Sequence, residues 1–126
     1  MSKKIISTPE APEAVGAYSQ AVVSDGFVFC SGQVPLDPAS GELLTGSIAD
    51  QTRRCLENLS AVLRAAGAGL DDVVKVTAFL IDMNDFPEFN EAYGEFFGDE
   101  PPARATVAVA ALPKGAEVEI ECIAQV

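Results

Sequence analysis

The stretch PPARATVAVAALPKGAEVEIECIA, residues 101–124, carries the two chemical features that stand out in this chain. A lone arginine, Arg104, opens an apolar run. After Pro113-Lys114-Gly115 the next run places Glu117, Glu119 and Glu121 at every second position. Alternation with period two is the mark of a strand, and its alternate side chains share a face. Two such runs around a Pro-Lys-Gly break predict a closing hairpin, with Glu119 opposite residues 109–110. Thr106 is then about 10–13 Å away along the strand at ~3.4 Å per residue. In that register a glutamate and a long arginine address one small ligand. Spacing leaves two other readings open: the glutamates mark a solvated strand face, and Arg104 is a surface residue or a member of a structural ion pair.

Working outward, residues 18–32 (YSQAVVSDGFVFCSG) read as two strands joined at Ser24-Asp25-Gly26, a strong hairpin signal. Residues 33–46 are turn-rich, with Pro35, Pro38 and Gly41. From Ser47, a plausible cap, to the stop at Gly67, the apolar residues Cys55, Leu56, Leu59, Val62, Leu63 and Ala66 fall at helical spacing. β-Branched residues from Val73 to Ile81 predict a strand. A second helix starts at Asn84 or Asp85, holds Pro87 in its first turn and ends at Gly98, with Phe86, Phe89, Tyr93, Phe96 and Phe97 as its apolar face. The order β-β-(β)-α-β-α-β-β over one domain, residues 1–126, predicts an α+β fold with two helices on one face of a mixed sheet. Apolar residues occur at both parities of the strands, so the second sheet face is expected to be buried against another subunit.

Composition narrows the chemistry. The 126 residues include 48% hydrophobic and 21% charged residues, and the net charge is −11. That charge opposes binding to a nucleic-acid backbone. The chain has no histidine, which removes Ser-His and Cys-His pairs and histidine metal ligands. Any proton transfer falls to Glu, Asp, Lys, Tyr, Cys or held water. Cys30, Cys55 and Cys122 are widely spaced and read as small buried side chains in a reducing compartment. Residues 1–14 lack the apolar core of a signal peptide, and no run is long enough to span a membrane. The expectation is a cytoplasmic protein.

Five stretches together carry a resemblance: APEAVGAYSQAV, VFCSGQVPLDPASGEL, QTRRCLENLSAVLRAAGAGLDDVVKVTAFLIDM, FNEAYGEFF and the quoted residues 101–124. They cover essentially the whole chain, and the sequence resembles the RidA (YjgF) family of reactive-intermediate deaminases. The resemblance implies a chorismate-mutase-like fold and a homotrimer whose sheets line a central β-barrel, with a ligand cleft at each subunit interface. It implies hydrolysis of 2-imino acids or their enamine tautomers (2-iminobutanoate, 2-iminopropanoate, 2-aminoacrylate) to 2-keto acids and ammonia, without cofactor or metal.

Carried over residue by residue, the resemblance makes Arg104 the group that binds the substrate carboxylate. A guanidinium grips a carboxylate through two parallel hydrogen bonds. Glu119 becomes the residue that orients and activates water. Ser31 and Gly32 match a loop that helps hold the carboxylate, Tyr18 an aromatic contact at the pocket wall, Thr106 a position whose backbone meets the reacting centre, and Asn90 a polar position near the cleft. The chain departs from the family pattern at Ala17, Ala108 and Ala111, where a proline, an acid and a base are usual. Two other functions fit the same residues: a keto-acid-binding regulatory protein without turnover, and a ribonuclease or translation inhibitor, which the negative charge and missing histidine disfavour.

Overall fold

Asp25 and Gly26 have positive φ of 51° and 81°, the backbone that a two-residue hairpin turn demands at both central positions. The expected first hairpin forms around them in the computed structural model, which describes residues 2–126. Its strands are β2 (Ala21–Ser24) and β3 (Phe27–Gln33), paired antiparallel with Ser24 opposite Phe27. A short strand, β1 (Lys4–Ile6), adds to the outer edge of β2. Three residues after a charged start are too few to show a period, so this strand was not legible in the sequence. Beyond Gln33, which ends β3, the turn-rich residues 34–46 form no third strand; their only ladder feature among the described residues is one bridge between Leu36 and Leu43.

Helix α1 (Ile48–Ala65) begins where expected, the Ser47 hydroxyl oxygen accepting the N–H of Asp50 at 3.0 Å. That bond satisfies one of the free amides of the first turn. Cys55, Leu56, Leu59, Val62 and Leu63 are buried along one stripe, which packs on β3 and on β6 (Val118–Gln125). Strand β4 (Val73–Leu80) follows, then α2 (Phe86–Gly94) and β5 (Ala103–Ala108). Helix α2 ends at Gly94, four residues before the expected Gly98. Glycine is a poor helix former, and the N–H groups of Glu95 and Phe96 turn back onto the carbonyls of Ala92 and Tyr93 in a tighter closing turn.

The sheet order is β1-β2-β3-β6-β4-β5, with β4 and β5 parallel and the other pairs antiparallel. This corrects the expected closing hairpin. β5 and β6 are not neighbours; β4 lies between them, and Pro113–Gly115 is a 3₁₀ turn within the connection across the end of β4. The reason is burial. Val118, Ile120, Cys122 and Ala124 of β6 are all 4% exposed or less, which requires a central strand with α1 above it. The alanine-rich β5 buries little and stays at the edge. Val109 N–H bonds Leu80 O at 2.8 Å, extending the β4–β5 ladder beyond the strand end.

Both helices cover one face of the sheet, as expected, over Val28, Cys30, Val76, Ala78, Leu80 and the inner residues of β6. Cys30 and Cys122 face each other there as free thiols, and the hydrogen bond between them, then burial, pushes the Cys122 thiol well above its ordinary pKa. The opposite face is open and carries exposed apolar side chains, with Phe27, Phe29 and Val107 exposed by 37%, 45% and 44%. No helix among the described residues is long and apolar enough to cross a membrane.

The lead-in is held by one buried amide. Gln20 Oε1 accepts the N–H of Thr8 at 2.7 Å, while Nε2 reaches the carbonyls of Thr8 at 3.1 Å and Pro12 at 2.7 Å. Gln20→Leu keeps the volume and strands these backbone groups, so it is expected to cost about 2–4 kcal/mol. Urea unfolding checks this; an unchanged midpoint would show the clamp to be idle.

Candidate active site

The pleat of β6 sends Val118, Ile120 and Cys122 into the core, and so sends Glu119 and Glu121 to the open face. Opposite them β3 carries a bulge. Cys30 pairs with Cys122 and Gln33 with Ile120, so three steps on β3 meet two on β6. An extra residue of this kind leaves the ladder and re-aims its side chains. Here it frees Ser31 and Gly32. The Ser31 hydroxyl donates to Ser19 O at 2.5 Å and its amide to Gln20 O at 3.0 Å, tying down the loop that bears Tyr18. The Tyr18 ring is half exposed, and its oxygen accepts the Val15 N–H at 3.4 Å.

Gly32 answers to close approach rather than to φ. A Cβ at that position would run into Glu119 Oε2 and come within 2.9 Å of Cδ and 3.1 Å of Cγ. The Glu119 carboxylate therefore lies flat over the glycine, half-buried, at the wall of a cleft of about 560 Å³. Tyr18, Ser31 and Gly32 line the same cleft, joined by Glu121 and by Lys114, which holds a left-handed φ of 59°. Burial, then the neighbouring Glu121 charge, raises the Glu119 pKa above its ordinary value. A carboxylate so placed is a stronger proton acceptor than one in water.

Arg104 lies elsewhere. It stands opposite Val76 on the helix-covered face, and its guanidinium carbon sits 4.6 Å from the ring centre of Tyr93, 5.5 Å from Phe86 and 5.7 Å from Phe89. Among the described residues no carboxylate lies within ion-pair distance of it. Of the other arginines, Arg53 and Arg54 are paired with acids and Arg64 donates to the Ser60 hydroxyl; among the described residues Arg104 is the one seated on aromatic rings. Each cation–π contact is worth about 0.5–2 kcal/mol, rising as the site is desolvated. The rings hold the guanidinium without cancelling its charge. Arg104 lines a groove with Asn90, Phe97 and Pro102.

The structure thus brings Tyr18, Ser31, Gly32 and Glu119 together and sets Arg104 and Asn90 apart from them. Thr106 is on Arg104's face, opposite Ala78, its hydroxyl buried without a partner. The expectation that one hairpin aims Arg104 and Glu119 at a single ligand is corrected. They sit on opposite faces of one sheet, Glu119 opposite Phe79 and Arg104 opposite Val76. Glu117 has a structural use instead, accepting Gln51 Nε2 at 3.0 Å. Sequence reasoning missed the roles of Phe86, Phe89 and Tyr93 beneath Arg104, because aromatics at helical spacing look the same whether they fill a core or seat a cation. It also passed over Lys114 and Glu121 as cleft residues. Among the described residues no cluster of His, Cys, Asp or Glu is arranged to hold a metal ion.

Gly32→Ala is expected to push the Glu119 side chain off the cleft wall at a stability cost of only about 1–2 kcal/mol, because the clashing atoms end a flexible side chain. Carboxyl ¹³C NMR of Glu119 reads the displacement and urea unfolding reads the cost. An unmoved Glu119 resonance would refute the close-approach account.

The chain has relatives among known proteins. The chain is 52% identical over 122 residues to a RutC family protein of Pyrococcus horikoshii, covering 97% of each chain. It is 50% identical over 122 residues to the 2-iminobutanoate/2-iminopropanoate deaminase of Rattus norvegicus, covering 97% of this chain and 89% of that one. The crystal structure of E. coli TdcF with bound serine superposes with a TM-score of 0.93 at 44% identity, covering 98% of each chain. The profile of the family described as Endoribonuclease L-PSP matches residues 8–126. With its six-stranded mixed sheet and two covering helices, the chain belongs to that family, the one its sequence motifs resemble under the name RidA/YjgF.

Proposed function

We propose that this chain is a 2-iminobutanoate/2-iminopropanoate deaminase, hydrolysing short 2-imino acids and their enamine tautomers to 2-oxo acids and ammonia. The observation that carries the reading is the Arg104 guanidinium, seated on three rings and free of any carboxylate partner among the described residues. A cation kept in place and uncompensated is a site for a small anion, and its fork fits a carboxylate. Two relatives lend support: the rat protein is named as this deaminase, and TdcF holds serine, which carries a carboxylate.

In the mechanism that follows, Arg104 fixes the substrate carboxylate and so the position of C2. Glu119 accepts a proton from a water as its oxygen bonds to C2 and the C=N electrons move to nitrogen. Glu119 passes that proton to the nitrogen, giving the carbinolamine. It then takes the carbinolamine hydroxyl proton and delivers it to the amino nitrogen as the C–N bond breaks, so the oxygen becomes the carbonyl and ammonia leaves a 2-oxo acid. An enamine first tautomerises to the imine. Positioning and general-base help suffice for a reaction of this kind. No step calls on a metal or cofactor.

Because Arg104 and Glu119 face opposite ways in one chain, the reading requires a site shared between chains. Arg104 of one subunit meets the Glu119 cleft of the next in a homotrimer whose open sheet faces, bearing Phe27 and Phe29, bury one another. The description of the family carries a ribonuclease reading, which the charge of −11 and the absence of histidine oppose.

Ammonia release is measured with a threonine dehydratase supplying the imine. Arg104→Ala and Glu119→Gln are each expected to lower kcat/KM by about two to four orders of magnitude; full turnover by either ends the assignment. Mixing the two inactive variants and reassembling them restores roughly a quarter of the sites if Arg104 and Glu119 come from different subunits of a cyclic trimer. No recovery, in a sample that light scattering shows to be a mixed trimer, would mean that the site is not shared.

A further inference from the structure

The Tyr93 side chain belongs to the core, yet it carries a polar group there. It is 5% exposed, and its hydroxyl oxygen is fully enclosed and makes no well-formed hydrogen bond, although the Arg104 guanidinium approaches it closely enough to help hold its pKa down. Buried hydroxyls are normally paired, and one that is not calls for an explanation. Phenylalanine would fill the same space without that cost, and the neighbours Phe86, Phe89 and Phe97 in the same stack are phenylalanines. Tyr93 alone of the four carries a hydroxyl, and its ring lies closest to the guanidinium, at 4.6 Å against 5.5 and 5.7 Å. Tyr93 and Arg104 also line one groove.

We propose that Tyr93 is the positioning residue for Arg104: its ring carries the guanidinium, and its hydroxyl oxygen accepts one guanidinium N–H when a substrate carboxylate is bound. The count of donors allows it. Arginine has five N–H groups, a carboxylate held by both prongs takes two, and one of the rest turns onto the phenol oxygen. That third bond stops rotation of the guanidinium about its last torsion, so both prongs stay in the plane of the carboxylate. Burial pushes the Tyr93 pKa up to about 12, while Arg104 opposes the rise, so the phenol keeps its proton at neutral pH and acts as a neutral acceptor.

This inference rests on the proposed role of Arg104 as the carboxylate site, and the test separates the two. Calorimetry measures binding of 2-oxobutanoate, the reaction product, to the wild type, Tyr93→Phe, Arg104→Lys and the double variant. Tyr93→Phe keeps the ring and is expected to weaken binding about fivefold to tenfold, raising KM more than it lowers kcat, with no fall in Tm. In the Arg104→Lys background the same change is expected to have no further effect, because the fork is gone. In the bound wild type the Arg104 Nη protons give separate NMR signals that merge in Tyr93→Phe. If the wild type binds and Tyr93→Phe binds equally well, or if the penalty persists with Arg104→Lys, the positioning role is wrong and the carboxylate site stands. If the wild type does not bind 2-oxobutanoate, the carboxylate site falls and this role falls with it.

Discussion

Every second residue of β6 is committed to the core, and most of the molecule's chemistry follows from that. Val118, Ile120, Cys122 and Ala124 lie under α1 and between two neighbouring strands. The pleat leaves their alternates no choice but the other face. A register slip by one residue would bury Glu119 and Glu121 beneath a helix and expose four apolar residues, an error no single contact could offset. The placement of the candidate base is therefore enforced by the hydrophobic core rather than by any bond that Glu119 makes itself.

The neighbouring strands complete the arrangement from either side. On β3 a one-residue bulge lifts Ser31 and Gly32 out of the ladder, and the missing Cβ of Gly32 gives the Glu119 carboxylate its seat. On the far side of β4, the edge strand β5 presents Arg104 to the rings of α2, which follows β4 directly in the chain. The β4-α2-β5 crossover thus builds one half-site and the β3–β6 pair builds the other. In both halves a charged group is held by something that does not neutralise it, whether a glycine backbone or aromatic faces. That is the condition for a charge to remain available to a ligand.

The two halves differ in their electrostatic logic. Glu119 is partly desolvated beside a second carboxylate, which makes its ionised form less favourable and its oxygen more basic. Beneath Arg104 the rings offset the guanidinium's loss of water by their quadrupoles. One half is thus suited to moving a proton and the other to gripping an anion. Within one chain the two lie on opposite faces of the sheet.

Periodicity and turn chemistry in the sequence alone determined the elements: the Ser24-Asp25-Gly26 hairpin, the Ser47-capped helix, the strand from Val73 and the class of fold. Those signals are local, written within a few residues of where they act. The same holds for the residue types at the site, where Arg104, Glu119, Gly32, Ser31 and Tyr18 stand in recognisable stretches. Only the tertiary structure decided which strands are neighbours. Strand order depends on how much apolar surface each strand must cover relative to all the others, and this moved β6 to the centre and left β5 at the edge. From that one non-local choice come the separation of Arg104 from Glu119, the seat of Glu119 on Gly32, and the conversion of an ordinary-looking aromatic stripe on α2 into the support of a cation.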